Sequence, residues 1–455
     1  MTNACYFLAR NSTRPLYRFP TEANFQLKPF SEMKNIQRLF LLAFILTIAF
    51  GARAQEQSLQ NVLNPDGSVR AGIDGSYNAQ GYEMRLRPNG QPVFVSSTTF
   101  NTLGGGANNT VRAIAISGNN LFIGGSFTTV GTLAVNRIAR YDLQTNVWGA
   151  LGGGVNNDVY AIAVLGNDVY VGGVFTSPAS RIARFNLQTN TWHALGFGTG
   201  GPVYALSASV NQIYVGGAFN SPANNIARWD TQTDSWSGLG TGANAQVNAI
   251  AVSGNIVYVG GNFTQVGTVS ASRIARWSST SNNWFPLGAG ANGDVSALSL
   301  SDFGDNLYVG GFFGSAGAVA NTVRIARFHV PSQTWNALGN GITSQGGGVT
   351  SIAPIGNDVY VGGSFSFSGI SNIAKFNTQT STWSGFGTGA NNFVSAFATN
   401  ADNLFVGGAM TTINGSPAQR IAVLNISLRP LVTLSAATSI SATSATLSGT
   451  INPNG

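Results

Sequence analysis

Residues 159–196 read VYAIAVLGNDVYVGGVFTSPASRIARFNLQTNTWHALG. The stretch divides into four short runs. Val159 to Val164 is apolar with small residues. Val169-Tyr170-Val171 ends on Gly172-Gly173. Arg181-Ile182-Ala183-Arg184-Phe185 follows, and Trp192-His193-Ala194-Leu195-Gly196 closes the unit. Each run is rich in Val, Ile, Tyr, Phe or Trp and is bounded by Gly, Asn or a Thr-containing turn. These are strand signals, and nothing between them is long enough for a helix.

The unit repeats along the chain. Gly-Gly pairs recur at Gly124-Gly125, Gly172-Gly173, Gly216-Gly217, Gly260-Gly261, Gly310-Gly311, Gly362-Gly363 and Gly407-Gly408, at spacings of 48, 44, 44, 50, 52 and 45 residues. Phe stands two residues after the pair in six copies and Met410 in the seventh. Four short strands per repeat predict one antiparallel sheet each, and such sheets close radially. The fourth run occurs first at Phe100 to Leu103, ahead of any first run, and the last repeat stops after its third, Arg420 to Leu424. The expected fold is therefore all-β: a seven-bladed β-propeller of four-stranded antiparallel blades, in which an N-terminal strand completes the last blade. That permutation joins the ends and leaves no open sheet edge between them.

The link from third to fourth run carries a family resemblance. Tyr141-Asp142 leads through Thr145 to Trp148; Phe185-Asn186 leads to Trp192, Trp229-Asp230 to Trp236 and Phe376-Asn377 to Trp383. Trp277-Ser278 to Trp284 and Phe328-His329 to Trp335 are degenerate copies. With the Gly-Gly pairs, this pattern resembles the kelch repeat, the blade of kelch propellers and of the galactose oxidase central domain. The resemblance covers roughly residues 94–428 and departs from the family in the Arg-Ile-Ala-Arg strand and the Leu-Gly ending. In physical terms, the Asp or Asn accepts backbone N–H groups in the hairpin, and the Trp packs on the next blade. The paired glycines permit positive φ or a close approach where blades crowd.

The flanks are of other composition. From Met33, Lys34 and Arg38 precede the apolar run Leu39 to Phe50, and Ala52-Arg53-Ala54 supplies small residues for cleavage before Gln55. Residues 33–54 thus read as a signal peptide, with 1–32 a mis-assigned N-terminal extension. The apolar run is too short to cross the hydrocarbon core, so no membrane span is expected after cleavage. Residues 55–93 hold turn signals and predict a small β cap; 94–430 are the propeller. From residue 431 the chain resembles the first strands of a fibronectin type III-like domain, truncated at 455; a longer chain that carries a monomeric propeller is expected, with a vestigial tail as the alternative.

Composition narrows the chemistry. Only 9% of residues are charged and 58 are Gly. The net charge of +7 resides mostly in residues 1–54, which hold seven basic and two acidic side chains. No basic stripe is left to neutralise phosphates, which argues against nucleic acid. The single cysteine, Cys5, precedes the cleavage point. A galactose oxidase-type copper site needs two His, two Tyr and a Cys crosslinked to one Tyr. Here the mature chain has no Cys, and its two His, His193 and His329, sit at ordinary repeat positions. Asp142 and Asp230 occupy the repeated turn, Asp158 and Asp294 the loop before run one, and Asp168 and Asp358 the position before run two. No paired carboxylates stand outside the repeat, so the chain is not expected to be an enzyme. No cofactor is expected, with weak calcium binding in Asn/Asp-Gly loops as an alternative.

Eleven basic residues fall in run three: Arg137, Arg140, Arg181, Arg184, Arg228, Arg273, Arg276, Arg324, Arg327, Lys375 and Arg420. They form either a ring of cations for an anionic polymer or, as preferred here, structural partners for loop Asp, Asn and carbonyl groups. Loops from run four to one and from two to three share one face, where lengths vary and Asn-rich tips occur. Recognition is expected on that face, near the axis. The candidate binding residues are Asn108, Asn109, Asn156, Asn157, Asp158, Asp294, Asn391 and Asn392. The expected function is a secreted or cell-surface, non-catalytic interaction module for an extracellular protein or glycan. The rivals are a secreted glycan-active lyase or hydrolase and a structural spacer of a larger surface protein.

Overall fold

The structure is a computed structural model that describes residues 100–343, 347–400 and 402–426, together with the backbone of short strand pairs outside them. The chain divides into two units. One comprises Met1–Val95 and Leu431–Asn452, the other Ser96–Pro430 and Pro453–Gly455. In the first unit, Gln57–Ser58 pairs in parallel with Tyr77–Asn78, and Thr433–Leu434 pairs antiparallel with Gly449–Thr450. Tyr82–Leu86 and Pro92–Ser96 form a third pair. The leader at 33–54 lies outside the described residues.

The second unit is the propeller. Seven four-stranded antiparallel sheets follow one another, and no helix occurs among the described residues. Blade 2 shows the pattern: Val159–Leu165 is innermost, followed outward by Asp168–Gly173, Ile182–Asn186 and Thr191–Ala194. Blade 7 contributes Val394–Thr399, Asn403–Gly408 and Ile421–Asn425, and its fourth strand is Asn101–Thr102. There Ala422 pairs with Thr102 and Val423 with Asn101, so the first strand of the propeller closes its last blade as the permuted repeat requires.

The Gly-Gly pair explains how blades meet. None of these glycines has positive φ; they are demanded by close approach. A Cβ on the first glycine would strike the Val that opens the next blade: Gly124 meets Val159, Gly172 meets Val203, and so on to Gly362 and Val394. The series closes on itself, because Gly407 meets Val111 of blade 1. All seven valines are fully buried. A Cβ on the second glycine would strike backbone of its own blade, as Gly217 does at the Pro202 carbonyl. That carbonyl precedes a register shift present at the start of every first strand, between Val203 and Ala205 in blade 3. One residue per blade is left unpaired there, a β-bulge.

The tryptophans fasten the outer rim, but to the preceding blade and not the next. Trp192 Nε1 donates to the Leu151 carbonyl at 3.2 Å, Trp236 to Leu195 at 2.9 Å and Trp383 to Leu338 at 3.1 Å. The indole also lies against the third-strand aromatic of its own blade, with Trp229 and Trp236 centroids 5.1 Å apart. The direction follows from the Leu-Gly linker: its glycine, at positive φ, leaves room for the ring of the blade that follows, as Gly196 does for Trp236. Blade 7 uses Phe100 on Phe386 in this role, with centroids 5.2 Å apart.

The turn chemistry is as the sequence implies. Asp230 Oδ1 accepts the N–H of Gln232 at 2.9 Å and of Thr233 at 3.0 Å. Asn186 does the same for Gln188 and Thr189. These backbone bonds hold the Asp142 and Asp230 carboxyls below their ordinary range. A carboxyl whose folded pKa is depressed contributes stability above its unfolded pKa, and the contribution is lost as pH falls through the folded value. Because Asn already serves this turn in blades 2 and 6, Asp230→Asn is expected to leave the neutral-pH melting temperature unchanged and to soften the fall below about pH 4. A lowered neutral-pH melting temperature would show that the charge itself is needed.

The socket yields a second test. In Gly216→Ala the new methyl would stand 2.6 Å from Val247 Cγ1, an overpacking that costs about 1–3 kcal/mol in denaturant unfolding. In a Val247→Ala background that cost should shrink by about 1 kcal/mol or more, since the two sites share one space. Gly217→Ala meets backbone, so Val247→Ala should not relieve it; equal behaviour of the two glycines would refute the assignment.

Candidate functional site at the axial mouth

The bulges decide what faces the axis at one end of the propeller. Their unpaired residues are Arg112, Tyr160, Tyr204, Asn248, Ser296, Thr350 and Ser395. Each lies between a Val that fills the neighbouring socket and a small residue, Ala in six blades and Ser351 in blade 6. All seven are half-buried. Arg112, Tyr160, Tyr204, Thr350 and Ser395 line a cavity of about 270 Å³ with Ser364 and Phe393. This mouth opens on the face where first strands begin and second strands end, the face of the variable loops. Another hollow, of about 170 Å³ around Val135 and Leu151, lies between a loop of blade 1 and the linker that follows that blade, and shares no residue with this lining.

One sector of the mouth is cationic and aromatic. Arg112 Nε donates to Ser126 Oγ at 3.2 Å and lies 3.5 Å from Asp158 Oδ2. Ser126 Oγ donates to that same oxygen at 2.7 Å, and Arg137 Nε stands 3.7 Å from Oδ1. Two guanidinium groups thus share one carboxylate, leaving one positive charge in excess. The Arg112 guanidinium lies 5.2 Å from the Tyr160 ring centroid, within cation–π range. Tyr160 and Tyr204 continue the wall, with centroids 5.5 Å apart and planes inclined by 35°. Burial, and next the neighbouring Tyr160, push the Tyr204 phenol up, so it remains a proton donor.

Other sectors are neutral. Thr350 Oγ1 donates to the Val394 carbonyl at 2.7 Å, tying blade 6 to blade 7. Asn248 belongs to an amide chain: Gln246 Nε2 donates to its Oδ1, its Nδ2 donates to Asn262 Oδ1 at 2.8 Å, and Asn262 Nδ2 reaches Asp294 Oδ2 at 3.0 Å. Arg273 Nε stands 3.7 Å from the other oxygen of Asp294. Asp158 and Asp294 therefore have the same position at the 1/2 and 4/5 junctions, each spanning two blades.

The Asn residues singled out on the loop tips have their side chains turned to the scaffold. Asn156 Oδ1 accepts the N–H groups of Thr176 and Ser177 at 2.8 and 3.0 Å, and its Nδ2 donates to Thr176 Oγ1. Asn108 does this for Thr128 and Thr129, and Asn391 for Thr411 and Thr412. Asn109, Asn157 and Asn392 each accept the N–H of the following residue. Six of the eight expected residues gather on adjacent blades 7, 1 and 2 as Asn caps. Of the eight, Asp158 bonds toward the lining residue Arg112, Asn392 accepts the N–H of the lining residue Phe393, and Asp294 reaches the ring residue Asn248 through Asn262. The ring itself was missed, although it has a signal: position two of run one reads Arg, Tyr, Tyr, Asn, Ser, Thr, Ser between near-invariant neighbours.

The third-run cations are chiefly structural. Arg137, Arg181, Arg273, Arg324 and Arg420 share a left-handed backbone position, φ 61–68°, with Asn225 and Asn372. From it Arg324 Nη1 donates to the Ile342 carbonyl at 2.9 Å, and Asn225 and Asn372 reach the Ala243 and Ala390 carbonyls at the same distance. Arg184 and Lys375 pair with Asp168 and Asp358 of their own blades. Among the described residues no three of His, Cys, Asp and Glu gather as metal ligands, and no helix is long and apolar enough to cross a membrane.

Seven four-stranded blades around a lined axial mouth define the class: a seven-bladed β-propeller. A family model described as the Rax2 C-terminal beta propeller domain matches residues 237–358, from the end of blade 3 into blade 6. The extracellular domain of the putative hybrid two component system BT4673 from B. thetaiotaomicron is similar at TM-score 0.51 and 12% identity, over 74% of this chain and 40% of that one. The RRP9 WD40 repeats are similar at TM-score 0.51 and 13% identity, over 75% and 99%. Likeness at these identities establishes the fold. A search of curated proteins finds no match.

Removing a loop cap should act on stability. Asn156→Ala strands two loop N–H groups and is expected to cost about 1–2 kcal/mol, seen as a lower melting temperature, with ligand affinity unchanged. Loss of binding at full stability would return the site to the loop tips.

Proposed function

We propose that this chain is a secreted or cell-surface, non-catalytic recognition module, a kelch-like propeller that holds an end group of an extracellular glycan or protein in the axial mouth. The observation that carries this reading is the contrast within the repeat. Val and the Gly pair are kept in every blade because blade packing needs them, whereas the bulge residue between them differs from blade to blade. Diversity confined to one ring on an otherwise repeated scaffold is what a binding surface requires. The signal-like leader at 33–54 supports export.

A glycan-active enzyme finds less support. The lining of the mouth includes no carboxylate and no His, and Asp158 is already shared by Ser126, Arg112 and Arg137. His193 lies on a fourth strand and His329 ends a third strand, on the outer side of their blades. The kelch-like assignment rests on the Asx turn and the rim Trp described above.

The test is a panel of immobilised extracellular glycans and matrix proteins, probed with the full chain and with Ser395→Tyr. Tyr occupies the equivalent bulge in blades 2 and 3, so this substitution fills the mouth without disturbing the scaffold. The expected result is retention on at least one glycan or protein, reduced about tenfold or more in the variant. Retention that the variant leaves intact would place binding elsewhere, and no retention at all would favour a structural spacer.

A further inference from the structure

The ring of bulge residues contains one cation, Arg112, and it is not spent on the fold in the way the third-strand arginines are. Its Nε faces Ser126 and Asp158, and among the described residues its two Nη groups have no hydrogen-bond partner. The ion pair and the Tyr160 ring hold the guanidinium at the wall of the cavity. Asp158 cannot neutralise the sector, because Arg137 shares it. A half-buried guanidinium with a free planar fork, in local charge excess, fits a carboxylate.

The rest of the lining says what carries that carboxylate. Tyr160 and Tyr204 pack against each other beside Arg112, and Ser364 and Ser395 line the same cavity with Thr350, whose hydroxyl donates to the Val394 carbonyl. The rims of the two rings suit the C–H groups of a pyranose, and the serine side chains suit its hydroxyls. The volume of about 270 Å³ falls just under the ~300–1,000 Å³ of pockets for drug-sized ligands, which suits a terminal sugar better than a peptide segment with its side chains. We propose that the mouth binds the terminal uronic acid residue of an acidic glycan, its carboxylate on Arg112 and its ring beside the rims of Tyr160 and Tyr204. This deepens the reading of the mouth as a recognition site and rests on it.

The experiment titrates the full chain with uronate-terminated oligosaccharides of the glucuronate, galacturonate, mannuronate and guluronate series, each beside its carboxyl-reduced counterpart, and with a panel of acidic peptides. At least one uronate should bind about tenfold or more tightly than its reduced partner. Arg112→Gln should bring that ratio to about one, and Ser395→Tyr should remove binding of both partners. Where Arg112→Gln lowers the melting temperature by unpairing Asp158, the double variant Arg112→Gln/Asp158→Asn keeps a neutral pair and should give the same ratio. Equal binding within every pair, lost in Ser395→Tyr, would overturn the uronate and leave the recognition site standing. Binding of acidic peptides alone would overturn the sugar. A uronate preference that survives Arg112→Gln would overturn the role of Arg112, and no binding of any probe would defeat the proposal together with its glycan basis.

Discussion

Everything in this propeller depends on a valine entering the space that an absent side chain leaves. The first glycine of each pair is a socket and the opening Val of the next blade is its knob, seven times, with Gly407 and Val111 joining the last blade to the first. The contact is fully buried in every copy. Burying a Val contributes about 1.5–3 kcal/mol, so the ring of sockets is a large part of what holds radial blades together without a disulfide. The second glycine lets the strand bulge beside its own backbone. Packing and bulge are thus coupled: the same dipeptide that docks the neighbour also frees one residue per blade from the hydrogen-bond ladder. The freed residues form the mouth.

That coupling explains why so much of the architecture was legible in the sequence and so little of the candidate mouth. The blade count, the strand order and the closure by Asn101–Thr102 follow from the repeat alone. The Asx turns do too, since Asp142, Asn186, Asp230 and Asn377 make the backbone bonds that their residue types imply. The reason for the glycines was open between positive φ and close approach, and only coordinates separate the two. The rim Trp was legible as an inter-blade residue but not in its direction, which depends on the linker glycine of the preceding blade.

The site was harder because polarity on a loop has two causes. Asn108, Asn156 and Asn391 are exposed and polar, and their side-chain oxygens accept loop N–H groups that the strands leave without partners. Their repetition was the clue, since a residue that recurs in register serves the repeat. The same argument applies to Arg137, Arg181, Arg273 and Arg324. Each holds a left-handed backbone position that costs about 1 kcal/mol or more and that a linker carbonyl or a neighbouring carboxylate helps to offset. Arg112 is the exception in placement, at a bulge and facing the axis.

The bulge ring, and not the loop tips, is the surface proposed here to meet a ligand. Hydrogen–deuterium exchange of the full chain, with and without a glycan or protein that it retains, tests this most directly. New protection is expected at residues 110–113, 159–161 and 203–205, where the ring backbone lies beside the mouth, with the tips at 108, 156 and 391 little changed. Protection confined to those tips, with the first strands unaffected, would contradict it.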